Sequence, residues 1–176
     1  MAEPIPQIAV SLTVNGTAEV VEVEPSESLS YTLRNRLGLT GTKLSCDVQA
    51  CGACTVLVEG LPRSSCTFLT YEARDRDVLT VEGLARDGVL GPVQEAFIAD
   101  SAFQCGFCTP GMLLTAHAYL EGEASAEGDD DDLIEYMSGN LCRCTGYLPI
   151  VAAILRARKA RALETSAPGA PAGPAD

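Results

Sequence analysis

The sequence predicts an α+β fold in which a strand-rich first half precedes a purely helical second half. Strand signals, which are short alternating or β-branched runs bounded by turns, continue to Glu82-Gly83 and then cease. Beyond this point apolar residues recur at helical spacing. The first half therefore predicts a small mixed sheet with one helix across it, and the second half predicts a small bundle of four helices.

The first half is predicted to begin with a β-hairpin followed by a helix. Residues 8–14 alternate apolar and polar side chains, Asn15-Gly16 is a strong two-residue turn, and β-branched residues return over 20–23. A helix should then open at Pro25-Ser26, because three leucines recur at every fourth position before Gly38 supplies a stop.

The middle of the chain predicts a long loop and then the remaining strands. Residues 38–54 have no apolar period but carry cysteines and glycines, which indicates a loop wrapped around something. A strand is expected over 55–59, then a turn at Gly60-Leu61-Pro62, with Cys66 on or just after the returning strand. Residues 78–81 are predicted to form the last strand.

Helix start and stop signals bound four segments, namely 92–100, 109–122, 129–139 and one that begins at Pro149. Pro92 suits the first turn of its helix, and Thr109 is predicted to be an N-cap followed by Pro110. The carboxylates of residues 129–132 suit a helix N-terminus.

The domain organisation follows from the same change of pattern. We expect a first domain over 1–83, a helical domain over 84–164 and a flexible tail rich in proline, alanine and glycine over 165–176. The segment 121–132 holds seven carboxylates and no basic residue, so it is interpreted as a solvated loop between helices.

Composition excludes several classes of function. The chain has 12 basic and 24 acidic residues, and its net charge of −12 argues against nucleic acid, since phosphate binding needs a basic face. No apolar run approaches the length of a membrane span, and the first residues lack the basic and apolar regions of a secretory signal. We therefore expect a soluble protein in the cytoplasm.

The eight cysteines carry the candidate chemistry. Disulfides are the alternative for an even number of cysteines, but thiols stay reduced in the cytosol. Cys46, Cys51 and Cys54 follow the spacing CxxxxCxxC, and Cys66 comes after eleven further residues, which is the plant-type spacing for a [2Fe–2S] cluster. Zinc also binds four thiolates, but zinc ribbons present CxxC pairs and match this triplet poorly.

A second quartet is less diagnostic. Cys105 and Cys108 form a CxxC pair that cannot complete a four-thiolate shell, so the chain must return with two more soft ligands. Cys142 and Cys144, in a CxC pair, are the candidates. From spacing alone, zinc and an iron–sulfur cluster both stay open for this site.

Four blocks in order resemble the iron–sulfur subunit of the xanthine dehydrogenase family, the molybdenum hydroxylases that include carbon monoxide, aldehyde and N-heterocycle dehydrogenases. The blocks are LGLTGTK at 37–43, the cysteine loop and strand at 46–58, QCGFCTPGM at 104–112 and SGNLCRCTGY at 138–147. The resemblance covers roughly residues 5 to 160. It implies a plant-ferredoxin-like β-grasp domain followed by an all-α four-helix-bundle [2Fe–2S] domain.

The resemblance also implies roles for residues. The quartet Cys46, Cys51, Cys54 and Cys66 would hold the cluster farther from molybdenum, and Cys105, Cys108, Cys142 and Cys144 would hold the nearer one. Cys144 would approach the pterin of the molybdenum cofactor, and Gln104 would lie against that pterin as a hydrogen-bonding contact.

The implied protein is an electron-transfer subunit of an oxidoreductase with no substrate site of its own. It would receive electrons from a large molybdopterin-binding subunit and pass them to an FAD-binding medium subunit. A hetero-oligomer follows, and a dimer of heterotrimers is one arrangement. The alternatives are a flavin-free complex that delivers electrons to a cytochrome or quinone, a free two-cluster ferredoxin, and a zinc-binding interaction module.

Two departures from the family pattern are visible. Ser45 stands where glycine is usual before the first cysteine, and the gap 47–50 lacks glycine, so local amide geometry is expected to differ without loss of ligation. The interval from Cys108 to Cys142 is slightly long, and the acidic loop is where the extra residues are expected.

The remaining polar residues near these motifs are weaker candidates. His117 is expected to be structural or on the surface, and Tyr147 to pack beside the second cluster. Lys43 and Arg143 flank the cysteine loops, where a positive charge would favour the reduced state or form a salt bridge to a partner.

Overall fold

The computed structural model describes residues 5–122 and 128–166. Its described part contains one five-stranded sheet, in the order β2-β1-β5-β3-β4. The strands are β1 (Ile8–Val14), β2 (Thr17–Val23), β3 (Thr55–Val58), β4 (Leu61–Ser64) and β5 (Asp77–Leu79). Only the β1 and β5 pairing is parallel, which confirms the predicted mixed sheet.

The predicted hairpin is confirmed. β1 and β2 pair in register from Ile8 with Val23 to Val14 with Thr17. Asn15 and Gly16 both take positive φ, 51° and 80°, which is the turn whose twist matches the flanking strands. The buried face of β1 consists of Val10, Leu12 and Val14.

The helix across the sheet begins later than the sequence predicts. Ser28, rather than Pro25 or Ser26, caps α1 (Leu29–Tyr31) by accepting the Tyr31 amide through its hydroxyl oxygen. The helix then continues as a π-helical turn over Thr32–Arg36. Leu29 and Leu33 are fully buried, so the four-residue spacing identified the packed face although it placed the start too early.

The predicted turn at Gly60-Leu61-Pro62 is shifted by one residue. Glu59 and Gly60 make the turn with φ of 52° and 73°, and Leu61 and Pro62 already belong to β4. β4 tolerates a proline because it is an edge strand of the sheet. The last strand, β5, ends before a single 3₁₀ turn over Val81–Gly83.

Four α-helices follow in the described part of the second half, α2 (Pro92–Ala99), α3 (Thr109–Glu121), α4 (Asp130–Met137) and α5 (Leu148–Ser166). Asp129 caps α4, since its carboxylate accepts the amides of Asp131 and Asp132. Thr109 is not the N-cap of α3 as predicted, because Cys108 holds that position. The Thr109 hydroxyl is instead buried with no hydrogen-bond partner among the described residues.

The two halves share apolar contacts. The helices bury one core around Phe97, Tyr119 and Ile154, and the sheet and α1 bury another. A third group, formed by Leu57 of β3 with Leu114 and Ala118 of α3, joins the sheet to the helices. This contact places the helical cysteine motifs next to the long loop of the first half.

Basic residues along α5 tie the helices together at the surface. Arg156 pairs with Asp100, Arg158 with Asp130 and Arg161 with Glu121. Exposed ion pairs of this kind contribute little to stability. None of the described helices is both long and apolar enough to cross a membrane.

Two predictions fall wholly or partly outside the described residues. The middle of the acidic segment, 123–127, and the tail from 167 lie there. α5 runs to Ser166, two residues past the predicted end of the helical domain at 164.

The ion pair between Glu27 and Arg36 leads to a prediction about stability. The Glu27 carboxylate, with a side chain 7% exposed, accepts the Arg36 guanidinium through both oxygens at 2.7 and 2.6 Å. This hydrogen bonding lowers the pKa of Glu27 below 4.5. A carboxyl with a lowered folded-state pKa stabilises the fold above its unfolded value, and this contribution is lost as the pH falls through the folded-state pKa.

Glu27→Gln should therefore cost about 1–3 kcal/mol of unfolding free energy at pH 7, the range for hydrogen bonds to charged groups. Below pH 4.5 the difference from wild type should shrink. Urea denaturation across this pH range measures the difference in unfolding free energy between variant and wild type. Glu22→Gln, on the exposed face of β2, is the control. A difference that stays constant with pH would contradict the role given to the Arg36 pair.

Candidate metal centres

The first thiol quartet lies on the long loop and just beyond β4. Cys54 is buried and the other three thiols are half-buried. The thiols form two pairs, since Cys46 contacts Cys51 and Cys54 contacts Cys66 through their side chains. Cys51 also lies close enough to Cys54 to interact with it electrostatically, so the two pairs adjoin.

Backbone amides of the loop point at the first sulfur. Hydrogen bonds from the amides of Val48 and Ala50, the latter at 3.3 Å, lower the pKa of the Cys46 thiol to about 7. Asp47 and Gln49 adopt φ of 54° and 60°, a region that glycine enters at lower cost. The gap without glycine thus still turns its amides inward, at the cost of two strained residues.

The second quartet is assembled from the start of α3 and the loop between α4 and α5. Cys105 and Cys144 lie with their sulfurs 3.6 Å apart and are both exposed. Cys108 contacts Cys142 through its side chain, and this second pair lies deeper. The quartet therefore has an outer pair at the surface and an inner pair toward the core.

Hydrogen bonds to sulfur recur at the second quartet. The Phe107 amide lowers the pKa of the Cys105 thiol. The Thr145 hydroxyl donates to the Cys142 sulfur at 3.1 Å. Such contacts favour the thiolate, the form that binds metal, and tune a bound cluster.

Burial of two thiols tests whether the site suits a metal group. Burial raises the pKa of Cys54 and of Cys108 to about 12 in each case. A thiol of this kind gives up its proton only to a bound metal cation. Each buried thiol also lies against a second thiol, so the donor set is the sulfur-only set that iron–sulfur clusters use.

The paired arrangement bears on the kind of metal group. A lone zinc ion needs its ligands around one point, whereas a [2Fe–2S] cluster takes four cysteines shared between two irons. Two adjoining thiol pairs per site fit the cluster better than zinc.

Gln104 lies beside the outer pair. Its side-chain amide donates to the Cys144 carbonyl oxygen at 3.0 Å, and both residues are exposed. The structure thus brings together Gln104 and Cys144, the two residues that the family resemblance placed against the pterin.

Tyr147 has a contact that sequence reasoning missed. Its phenolic oxygen accepts the amide of Cys142 at 2.9 Å, and its own φ of 68° is strained for a non-glycine residue. The tyrosine therefore fixes the backbone of the CxC pair, where the sequence had predicted only packing. Its position five residues after Cys142 gave no signal of a hydrogen bond.

Tyr147→Phe removes the phenolic acceptor while keeping the ring. We expect the free energy of unfolding to fall by about 0.5–1.5 kcal/mol, the usual net value of one hydrogen bond, with iron content unchanged. Chemical denaturation and iron analysis measure the two quantities. Tyr31→Phe, at a ring that is 49% exposed on α1, is the control and should change neither. An unchanged stability in Tyr147→Phe would argue against this contact.

The weaker candidates take structural positions. His117 is half-buried on α3, and burial lowers its pKa, which agrees with the structural interpretation. The Lys43 ammonium donates to the Thr40 carbonyl oxygen at 2.8 Å within the first loop. Arg143, between the two cysteines of the CxC pair, is exposed.

Family models match both halves of the chain. Residues 12–84 match the 2Fe-2S iron-sulfur cluster binding domain, and residues 80–155 match the [2Fe-2S] binding domain.

Curated relatives extend this similarity over most of the sequence. The small FeS subunit of nicotinate dehydrogenase from Eubacterium barkeri is 43% identical over 148 residues, covering 84% of this chain and 93% of the relative. The small subunit of nicotine 6-hydroxylase from Paenarthrobacter nicotinovorans is 46% identical over 154 residues, covering 88% and 92%.

Solved structures agree. A chain of quinoline 2-oxidoreductase from Pseudomonas putida 86 superimposes with a TM-score of 0.82 at 42% identity, covering 89% of this chain and 97% of that one. Aldehyde oxidoreductase from Desulfovibrio desulfuricans gives a TM-score of 0.83 at 36% identity, but this chain spans 17% of its length.

The fold and the two thiol quartets define an iron–sulfur protein with two [2Fe–2S] binding domains. Its relatives are small iron–sulfur subunits of dehydrogenases and hydroxylases. The chain belongs to the iron–sulfur subunits of the xanthine dehydrogenase family, as the sequence blocks indicated.

Proposed function

We propose that this chain is the electron-transfer subunit of a molybdenum hydroxylase and relays electrons from a molybdopterin subunit toward a flavin subunit. The observation that carries the proposal is the presence of two adjoining all-thiol sites in one chain, one of which opens to the surface through Cys105 and Cys144. The chain would act as part of an oxidoreductase without binding the substrate.

Each quartet would hold one [2Fe–2S] cluster, the ligands being Cys46, Cys51, Cys54 and Cys66 at one and Cys105, Cys108, Cys142 and Cys144 at the other. The clusters supply one-electron redox chemistry when bound. Amide and hydroxyl donors at Cys46, Cys105 and Cys142 favour the thiolate form of these three ligands.

Electrons would enter at the outer pair of the second quartet. Gln104 and Cys144 are exposed and hydrogen-bonded to each other, which supports the assignment that both face the pterin of a partner. Large apolar side chains within four residues of these positions in the sequence are exposed, with Phe107 45%, Leu141 54% and Leu148 82% exposed. An exposed apolar surface of this kind is typical of a protein interface.

The flavin step and the assembly belong to the proposal as well. We assign the first domain to 1–83 and a four-helix-bundle domain to 84–164, and place the chain in a cytoplasmic hetero-oligomer with a large molybdopterin-binding subunit and an FAD-binding subunit. Support comes from the relatives, which are named as subunits of multi-subunit dehydrogenases. A dimer of heterotrimers is the proposed arrangement.

Isolation of the native complex through a tag on this chain tests the proposal. We expect molybdenum, a flavin and two larger subunits to be recovered with it. Recovery with a molybdenum subunit and a cytochrome, without flavin, would replace the flavin step by the flavin-free alternative. Recovery of the chain alone as a monomer with both clusters would overturn the subunit assignment in favour of a free ferredoxin.

A further inference from the structure

The two cysteine loops touch at one backbone hydrogen bond. The Leu141 amide donates to the Cys51 carbonyl oxygen at 2.9 Å. Cys51 belongs to the first quartet, and Leu141 directly precedes Cys142 of the second. This hydrogen bond therefore connects Cys51, a proposed ligand of the first cluster, to the residue that precedes Cys142, a proposed ligand of the second cluster.

The side chain of Asn140 holds this contact in place. It is 5% exposed, although asparagine is usually a surface residue. Its amide nitrogen donates to the Gly52 carbonyl oxygen at 3.0 Å and approaches the Thr55 hydroxyl at 3.4 Å. These contacts join residues 88 and 85 positions apart in the chain, so they link the two halves of the molecule.

Thr115 fixes the orientation of the asparagine. Its hydroxyl, on α3, lies 2.9 Å from the Asn140 side-chain oxygen and 3.0 Å from the Gly111 carbonyl oxygen. Thr115 is also buried, with 4% exposure. The amide group of Asn140 is thus held at both ends, one by the helix and one by the first cysteine loop.

The backbones meet too closely for other residues. A Cβ on Gly52 would lie 2.5 Å from the Gly139 carbonyl oxygen, and one on Gly111 would overlap the carbonyl oxygen of Gly52. The loops are therefore in direct contact at these two glycines. A buried amide in such a contact is costly unless it is fully hydrogen-bonded.

We propose that Asn140, held by Thr115, is a positioning residue that sets the separation of the two cysteine loops through the Cys51–Leu141 hydrogen bond, and thereby the spacing of the two clusters. This inference rests on the proposed function. In the transfer concerned, one cluster loses one electron and the other gains it, and no bond is formed or broken.

Asn140→Asp and Thr115→Val test the proposal. An ionised carboxylate in place of the amide would face the Gly52 carbonyl oxygen, and two acceptors repel each other. The valine leaves the Asn140 oxygen without its hydroxyl partner. In both variants we expect exchange of the Leu141 amide hydrogen to become faster by roughly tenfold, since a buried hydrogen bond is weakened.

A spectroscopic measurement follows the cluster spacing itself. In the full chain isolated with its partners, electron paramagnetic resonance of the fully reduced protein should show a magnetic splitting between the clusters that the half-reduced protein lacks. We expect both variants to keep both clusters and to lose or narrow this splitting.

Matched controls separate positioning from general destabilisation. Thr32→Val removes a buried hydroxyl on the first helix, 2.8 Å from the Thr70 hydroxyl and away from the cysteine loops. It should lower stability while leaving Leu141 exchange and the splitting unchanged. Thr115→Ser keeps the hydroxyl and should behave as wild type.

The possible outcomes distinguish failure of the positioning role of Asn140 from failure of the proposed function. Unchanged amide exchange and splitting in a folded Asn140→Asp or Thr115→Val would overturn the inference while leaving the two-cluster relay intact. A wild-type protein with fewer than two clusters would overturn the proposed function, and amide exchange would then still test the contact. If Asn140→Asp does not fold, the comparison of Thr115→Val with Thr115→Ser decides.

Discussion

Cys144→Ala should remove one iron–sulfur cluster and leave the other. The Cys144 sulfur lies 3.6 Å from that of Cys105 in the outer pair of the second quartet. Without it, three thiols remain at a site that needs four, and iron should fall from about four to about two atoms per chain. Electron transfer from the molybdenum subunit should be abolished, because the lost site is the proposed point of entry.

The reciprocal variant is the matched control. Cys46→Ala removes a thiol from the first quartet, where backbone amides stabilise the thiolate. In low-temperature electron paramagnetic resonance each cluster should give its own signal. Cys46→Ala should lose the signal of the first-quartet cluster and keep the signal of the second-quartet cluster, which Cys144→Ala loses. If both signals survive in either variant, the assignment of ligands to the two quartets is wrong.

Gly111→Ala should destabilise the protein although it places a better helix former in α3. Helix propensity alone predicts a gain of about 0.5–1 kcal/mol. The added Cβ would overlap the Gly52 carbonyl oxygen, which is backbone and cannot rotate away. Forced displacement of a packed loop costs about 1–3 kcal/mol or more, so the clash should decide the sign.

Gly139→Ala is the control for this substitution. Gly139 lies in the same contact region, but a Cβ there would meet no atom within 4 Å. Thermal unfolding of both variants measures the contrast. A Gly111→Ala variant as stable as Gly139→Ala would contradict the close approach of α3 to the first cysteine loop.

Local features were predictable from the sequence. The hairpin follows from Asn15-Gly16, and α4 follows from the carboxylates that begin with Asp129, because each signal acts within a few residues. The cysteine spacing also predicted that the thiols of the first quartet gather, since three of these cysteines lie within nine residues, 46–54. The family blocks then predicted the two cluster-binding halves.

Errors arose where tertiary packing decides the outcome. Thr109 is a residue type that favours the N-cap, yet Cys108 takes that position with backbone angles that are already helical, φ −82° and ψ −14°. Pro62 suggested a turn but lies in β4. This strand is at the edge of the sheet, where a residue without an amide hydrogen is tolerated.

Contacts between the halves could not be predicted at all. The Asn140 contact with Gly52 depends on how α3 packs on β3, which no local pattern encodes. Within each half, the pairing of sulfurs and the Tyr147 hydrogen bond depend on the folded path of the loops, which residue spacing does not give. Asn140 belongs to the motif SGNLC, but nothing in that motif indicates that the side chain reaches Gly52.

The central claim is that this chain holds two [2Fe–2S] clusters through its eight cysteines. Iron and acid-labile sulfide, determined per chain on anaerobically isolated protein, test it most directly. We predict about four of each, because each cluster contains two irons and two sulfides. About two of each, or zinc in place of iron at one quartet, would contradict the claim.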